Sequence, residues 1–326
     1  MWRSAGVAEW LGTGLQSRLH GFESRHSLAS TEVAYGMMPW VSFRSPTMTD
    51  VIASLNVEQV DEHHFVADQM DNPRHHIVGG HIAAQTLMAA SRTVPGRAPH
   101  SAHAYYLRAG DARRPVNFHV ETARDGGTLS TRRVTARQDG AVLIEMLASF
   151  STDIDDDEHQ VTIPDVPQPD SLPSVQYQLR DYADEFRGHW VREQPFEMRY
   201  IDPPPRLAVE QSEPSPRMRM WWRSRESVPP DPVLGSCLLT YLSGTTMLEA
   251  AVAMRGATPI TTFNALIDHA LWFHRPVDLT DWVLSDQFSP SGLGGRGLAS
   301  ATMFNRSGAL VCVATQELYF GARRTD

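Results

Sequence analysis

Apolar residues recur along this chain with two different periods, and the alternation between them marks out the elements. From Gly79-Gly80 through about Ala90 they fall at helical spacing, and the same spacing over residues 232–254 predicts one long second helix with Gly256 as its stop. Between and after these, the period drops to two. Strands are predicted over residues 60–68, 100–108, 116–124, 129–137, 141–150, 196–200 and 217–223, with three further strand regions after the second helix. Gln138-Asp139-Gly140 carries the residue types of a tight hairpin between two of them. Residues 1–47 sustain neither period, so they are expected to form no part of the core. Gly21 to Arg25 back-translates to a pattern that includes GGTTCGAATCC, which resembles the T-arm of a transfer-RNA gene. That stretch is therefore expected to be an unstructured or spuriously translated extension, with the protein proper starting at Met48.

The pattern runs through the chain twice. HAYYLRAGD from His103 parallels HALWFHRPVD from His269, and DGAVLIEMLASF from Asp139 parallels SGALVCVATQEL from Ser307, both at an offset of about 167 residues. Two matches at one offset point to duplication of a helix-plus-antiparallel-sheet unit. The units are expected over residues 48–152 and 191–322. The intervening 153–190, with Asp153, Asp155, Asp156, Asp157, Glu158 and then Pro164, Pro167, Pro169 and Pro173, reads as a solvated linker.

Composition narrows the chemistry. All 29 basic residues are arginine. The absence of lysine removes Schiff-base catalysis, phosphate-loop and kinase-type mechanisms. A net charge of −9 argues against a nucleic-acid partner, so an anionic ligand must be met by local arginines. Cys237 and Cys312 each sit in an apolar stretch and read as core residues. No apolar run is long enough for a membrane span and the N-terminus lacks signal-peptide order, so the expected location is cytoplasmic. His75, His76, His81, His100 and His103 lack the spacing of a metal site, and neither metal nor cofactor is expected.

The motifs themselves carry a resemblance. IVGGHIAAQTL (Ile77 to Leu87), HSAHAYYLRAGD (His100 to Asp111), VETARDGGTLSTRRV (Val120 to Val134) and LIDHALWFHRP (Leu266 to Pro276) resemble, in order, the motifs of the acyl-CoA thioesterase II family. The resemblance covers residues 48–321 and implies an α+β double hotdog, two units each with a long central helix against a bent antiparallel sheet. It further implies hydrolysis of acyl-CoA to fatty acid and coenzyme A by a water held between an aspartate, a Thr or Ser, and a glutamine. A carboxylate serves there as base, while hydroxyl and amide orient the water and the developing oxyanion. The glutamine falls on Gln316. The aspartate position holds Gly244 and the hydroxyl position Leu266, so this set is degenerate, with Asp268 as a substitute carboxylate. Gly79, Gly80, His81 and His269 are carried over as substrate-binding positions, and Arg132, Arg133 and Arg296 as partners for coenzyme A phosphates.

Three functions follow. The first is a thioesterase weakened by these losses, in which restoring Gly244→Asp with Leu266→Thr is expected to raise kcat at least about tenfold. The second is a non-hydrolytic acyl-CoA or acyl-chain binding protein. A hotdog hydratase is the third, disfavoured because His274 stands one place beyond the required spacing from Asp268. The family further implies association into homo-oligomers.

Overall fold

The computed structural model describes residues 45–72, 75–154, 157–211 and 214–320. In chain order the described helices and strands are α1 (Met48–Ser54), β1 (Glu58–Gln59), β2 (His64–Ala67), α2 (Gly79–Arg92), β3 (Ala98–Tyr106), β4 (Val116–Asp125), β5 (Leu129–Gln138) and β6 (Ala141–Ser151). Then come α3 (Val175–Gln178), β7 (Phe196–Tyr200), α4 (Pro205–Gln211), β8 (Arg217–Ser224), α5 (Pro232–Thr246), α6 (Leu248–Ala253), β9 (Ala265–Leu266), β10 (Asp268–Phe273), β11 (Val283–Leu293), β12 (Arg296–Asn305) and β13 (Leu310–Tyr319). α2 and β3 to β8 lie within two residues of expectation, α1, α3 and α4 were not expected, and five strands, β9 to β13, follow the second helix where three strand regions were expected. The expected strand over residues 60–68 is instead a hairpin of β1 and β2. Its turn is made by Asp61, whose carboxylate accepts the amides of His63 and His64 at 2.9 and 3.0 Å.

One antiparallel sheet joins everything in the order β1-β2-β4-β5-β6-β3-β10-β13-β12-β11-β8-β7, with β9 added on β13. Read from its centre outward, the order is the same on both sides: β3 answers β10, β6 answers β13, β5 answers β12, and β4 answers β11. That mirrored order is what a duplicated unit produces, and the double hotdog is the observed architecture. The halves meet where β3 pairs β10, with His103 opposite Ala270 and Ala104 opposite His269, so the doubled motif itself forms the seam.

The two central helices lie side by side against one face of this sheet. α2 is buried along nearly its whole length, from Gly80 to Ser91. α5 starts with the Asp231 carboxylate accepting the amides of Val233 and Leu234, and Pro232 occupies a position that needs no donor. The expected single helix over 232–254 breaks at Met247. Thr245 and Thr246 hydroxyls donate back to the Leu242 carbonyl, both at 2.9 Å, a pairing that bends helices. Gly256, at φ +66°, ends the second piece as expected. Asp139 (φ 49°) and Gly140 (φ 79°) form the expected hairpin turn. Cys237 and Cys312 are both buried and free.

The segment after β6 is not a freely solvated linker. The Gln160 side chain donates to the Gly308 carbonyl at 2.8 Å and Trp221 Nε1 donates to the Pro167 carbonyl at 3.0 Å. Ile163, Val166 and Leu172 pack on Trp221, Leu284 and Phe304. Within its acidic run, Glu158 pairs with Arg275, while residues 155 and 156 lie outside the described residues. The expectation for residues 1–44 also falls outside them. Thr47, assigned to that extension, is part of the fold, since it caps α1 in a reciprocal capping box with Asp50.

Candidate active site

Five elements converge at the start of α2. Its N-cap residue, Val78, provides no side-chain cap, and the first residues of a helix have no intrahelical acceptor for their amides. The N-terminus of α2 therefore offers backbone donors and a positive dipole end. Gly79 and Gly80 are required here by close approach. A Cβ on Gly80 would lie 2.3 Å from the Tyr241 carbonyl oxygen of α5, and one on Gly79 would lie 2.5 Å from Leu266 Cδ1. Opposite them, a Cβ on Gly244 would lie 2.6 Å from Gly80 Cα and 3.6 Å from His269 Cε1. The glycines of the two central helices thus cross backbone to backbone.

Strands β10 and β13 supply the rest. Buried and part-exposed residues alternate along both, which puts His269 and Leu271 of β10, and Ala314, Gln316 and Leu318 of β13, on the helix-covered face. His269 immediately precedes Ala270 and Gln316 immediately follows Thr315 at the Ala270–Thr315 pair. Their side chains emerge side by side from neighbouring strands, at the separation typical of cross-strand pairs. Both residues are fully buried. Gln316 Oε1 and Nε2 and His269 Nδ1 have no protein partner, although each is enclosed. Three orphaned polar atoms at one place are costly unless something polar joins them, which marks this as a site for a small polar group.

Gly79, Gly80, Gly244, Leu266, His269 and Gln316 are therefore brought together. Leu266 packs over Gly79, with Leu318 as its strand partner, and presents only hydrocarbon. Asp268 lies on the other side of β10, half-buried. Its Oδ1 accepts the Glu317 amide at 2.9 Å where β10 gives way to β9, and burial pushes its carboxyl above the usual range. Tyr106, raised by burial and by the Asp268 charge, donates to the Gly79 carbonyl at 3.2 Å and links this carboxylate to the helix start.

Other expected binding residues go elsewhere. His81 turns away from the convergence, with Nε2 at 2.9 Å from Ser54 Oγ, and ties α2 to α1; burial holds it down to about 4. Arg132 is corrected outright as a phosphate partner. It is 4% exposed and binds the Asp125 carboxylate, the Thr93 hydroxyl and the Thr93 carbonyl, at the far end of α2, about 20 Å from Gly79. Arg133 is exposed on β5 opposite Glu121. Arg296 alone lies near the site, paired at 3.2 Å with Glu317, the residue whose amide Asp268 holds. Two surface depressions, of about 340 and 670 Å³, lie beside Met254 and beside Arg223, away from Gln316.

Sequence reasoning missed the Ser243–His269 contact, 3.1 Å between Oγ and Nε2. Its signal was present: Ser243 adjoins Gly244, and His269 adjoins Asp268 within a motif already singled out.

The chain is similar to known proteins along most of its length. A family model described as acyl-CoA thioesterase matches residues 192–319, and one described as acyl-CoA thioesterase N-terminal domain matches residues 66–151. Acyl-CoA thioesterase 2 of Haemophilus influenzae is 32% identical over 285 residues, 84% of this chain and 97% of that one. The solved structure of the tesB protein of Mycobacterium avium subs paratuberculosis is 42% identical, covers 85% of this chain and 100% of its own, and has a TM-score of 0.73. The acyl-CoA thioesterase II TesB2 of Mycobacterium marinum is 35% identical over 84% of this chain and 98% of its own, with a TM-score of 0.69.

Proposed function

This chain belongs to the acyl-CoA thioesterase family, and on that premise we propose that it hydrolyses acyl-CoA thioesters to a fatty acid and free coenzyme A, more slowly than relatives with a complete carboxylate, hydroxyl and amide set. One observation carries the reading: the buried amide of Gln316, without a protein partner, on the face of β13 that the helices cover. Backbone donors at a helix start suit the oxygen of a thioester carbonyl as it becomes an oxyanion. The amide suits a water, since it both donates and accepts.

The slowing follows from Gly244 and Leu266. A positioned general base contributes on the order of a hundred- to ten-thousand-fold, and neither residue has a titratable group. Non-hydrolytic binding of acyl-CoA is the second reading, favoured by the same two positions. Arg296 is assigned to the phosphates of coenzyme A, with Arg133 a more distant candidate. A cytoplasmic location and assembly into homo-oligomers belong to the same reading.

Thiol release from acyl-CoAs of graded chain length, measured on the full chain, decides between hydrolysis and binding. Hydrolysis predicts slow turnover on at least one chain length. Tight binding of those esters by calorimetry, without thiol release, would establish the second reading instead.

A further inference from the structure

We propose that His269, through Nδ1, is the proton acceptor for the water held by Gln316, and so occupies the role that Gly244 cannot. The inference rests on the hydrolytic reading above and goes beyond it by naming the base. Its first support is the hydrogen bonding around Ser243. That hydroxyl has one proton, and it points back along α5 to the Leu239 carbonyl at 2.7 Å. Ser243 Oγ must then accept from His269 Nε2, 3.1 Å away, which places the ring proton on Nε2. Nδ1 is left as a bare lone pair, buried and without a protein partner.

Position is the second support. The ring lies against the face of Gly244, with Cε1, the carbon between its two nitrogens, 3.6 Å from where a side chain there would begin, so the imidazole stands next to the position of the missing carboxylate. On its other side is Gln316, whose amide oxygen and nitrogen are also unpaired. A water accepting from Gln316 Nε2 and donating to Nδ1 satisfies both at once. The glycine and the histidine then form one arrangement, since a carboxylate at residue 244 would sit against the ring.

The step balances without a further reactant. Water oxygen attacks the thioester carbonyl carbon as its proton passes to Nδ1, and the carbonyl electron pair moves onto oxygen at the α2 N-terminus. The tetrahedral intermediate collapses, the C–S bond breaks, and the departing thiolate takes the proton from Nδ1. Fatty acid and coenzyme A thiol leave, and neutral His269 is restored. Throughout, Nε2 keeps its proton and donates it to Ser243 Oγ, and the chain through Ser243 to the Leu239 carbonyl steadies the transient imidazolium. Burial lowers His269 to about 3, so it is a weak base, consistent with slow turnover.

The test pairs kinetics with spectroscopy. In nitrogen-15 spectra of histidine-labelled protein, His269 should be the neutral Nε2–H tautomer; an Nδ1–H tautomer overturns the proposal whatever the variants do. His269→Gln keeps a donor toward Ser243 and removes the basic nitrogen. Its kcat should fall at least about a hundredfold with KM changed less than about threefold. Loss of activity in Asp268→Asn with His269→Gln unaffected would move the base to Asp268, overturning this proposal while leaving hydrolysis intact. Ester binding without thiol release by the natural chain would remove both. Should His269→Gln fail to fold, Ser243→Ala provides the second variant: freed from its anchor, the ring loses its fixed tautomer, and kcat should fall about tenfold with KM kept. An unchanged kcat there counts against the proposal.

Discussion

At Gly244 two helices pack backbone to backbone, and that packing bears directly on whether a carboxylate could stand there. The would-be Cβ of Gly244 lies 2.6 Å from Gly80 Cα, a backbone atom that no side-chain rotation can move aside. Overpacking typically costs about 1–3 kcal/mol, and a whole carboxymethyl group held against backbone belongs at or above the top of that range. The expectation that Gly244→Asp restores rate therefore gives way to the opposite one. The variant should melt several degrees lower and gain less than about tenfold in kcat, alone or with Leu266→Thr. A stable variant with a tenfold gain would mean that the helices separate easily and that the carboxylate was the missing group. That Gln316 would lie among the residues of the candidate site was legible from its motif, and the structure buries it with its amide unpaired. The meaning of Gly244 was not legible, since a glycine within a helical stretch does not announce which distant backbone it touches.

Elements were legible wherever local chemistry decides them. Asp231 and Pro232 start α5, Asp139-Gly140 turns the hairpin, and Gly256 stops α6. The break at Met247 also had a local signal, the hydroxyls of Thr245 and Thr246, but apolar periodicity runs straight through it and overrides it in a first reading. The start of α1 is a similar case. Thr47 lies in a stretch without period, yet its hydroxyl accepts the Asp50 amide at 3.1 Å and its own amide donates to Asp50 Oδ2 at 2.8 Å. Losing an N-cap hydroxyl typically costs about 1 kcal/mol. Thr47→Ala, or a chain begun at Met48, should lose about that much by urea unfolding. An unchanged midpoint would show that burial of Met48 and Val51 alone sets this helix.

Over the whole molecule, the duplication was legible from two motif pairs, but the seam between the halves was not, because strand pairing across a long loop leaves no local trace. The same long-range enclosure decides how stability depends on pH. His81 and His269 are held by burial to about 4 and about 3. Their folded values lie below the unfolded value near 6.5, so the unfolded chain binds more protons between those limits and stability falls as pH drops below about 6.5. Glu249 has the opposite sign. Burial pushes its carboxyl up to about 8, against the pull of the Tyr200 hydroxyl, which donates to it at 2.9 Å. The folded chain then keeps a proton that the unfolded chain has shed, and stability falls as pH rises from about 4.5 to about 8. Between 4.5 and 6.5 two histidines outweigh one carboxyl; above 6.5 only the carboxyl acts. Melting temperature should therefore peak near pH 6.5. Glu249→Gln, which keeps an acceptor for Tyr200 and needs no proton, should flatten the decline toward pH 8 and steepen the rise between pH 4.5 and 6.5, where the carboxyl no longer opposes the histidines. His81→Gln should soften the acid limb and leave the alkaline one. A melting temperature that still declines from pH 6.5 to 8 in Glu249→Gln would place the responsible group elsewhere.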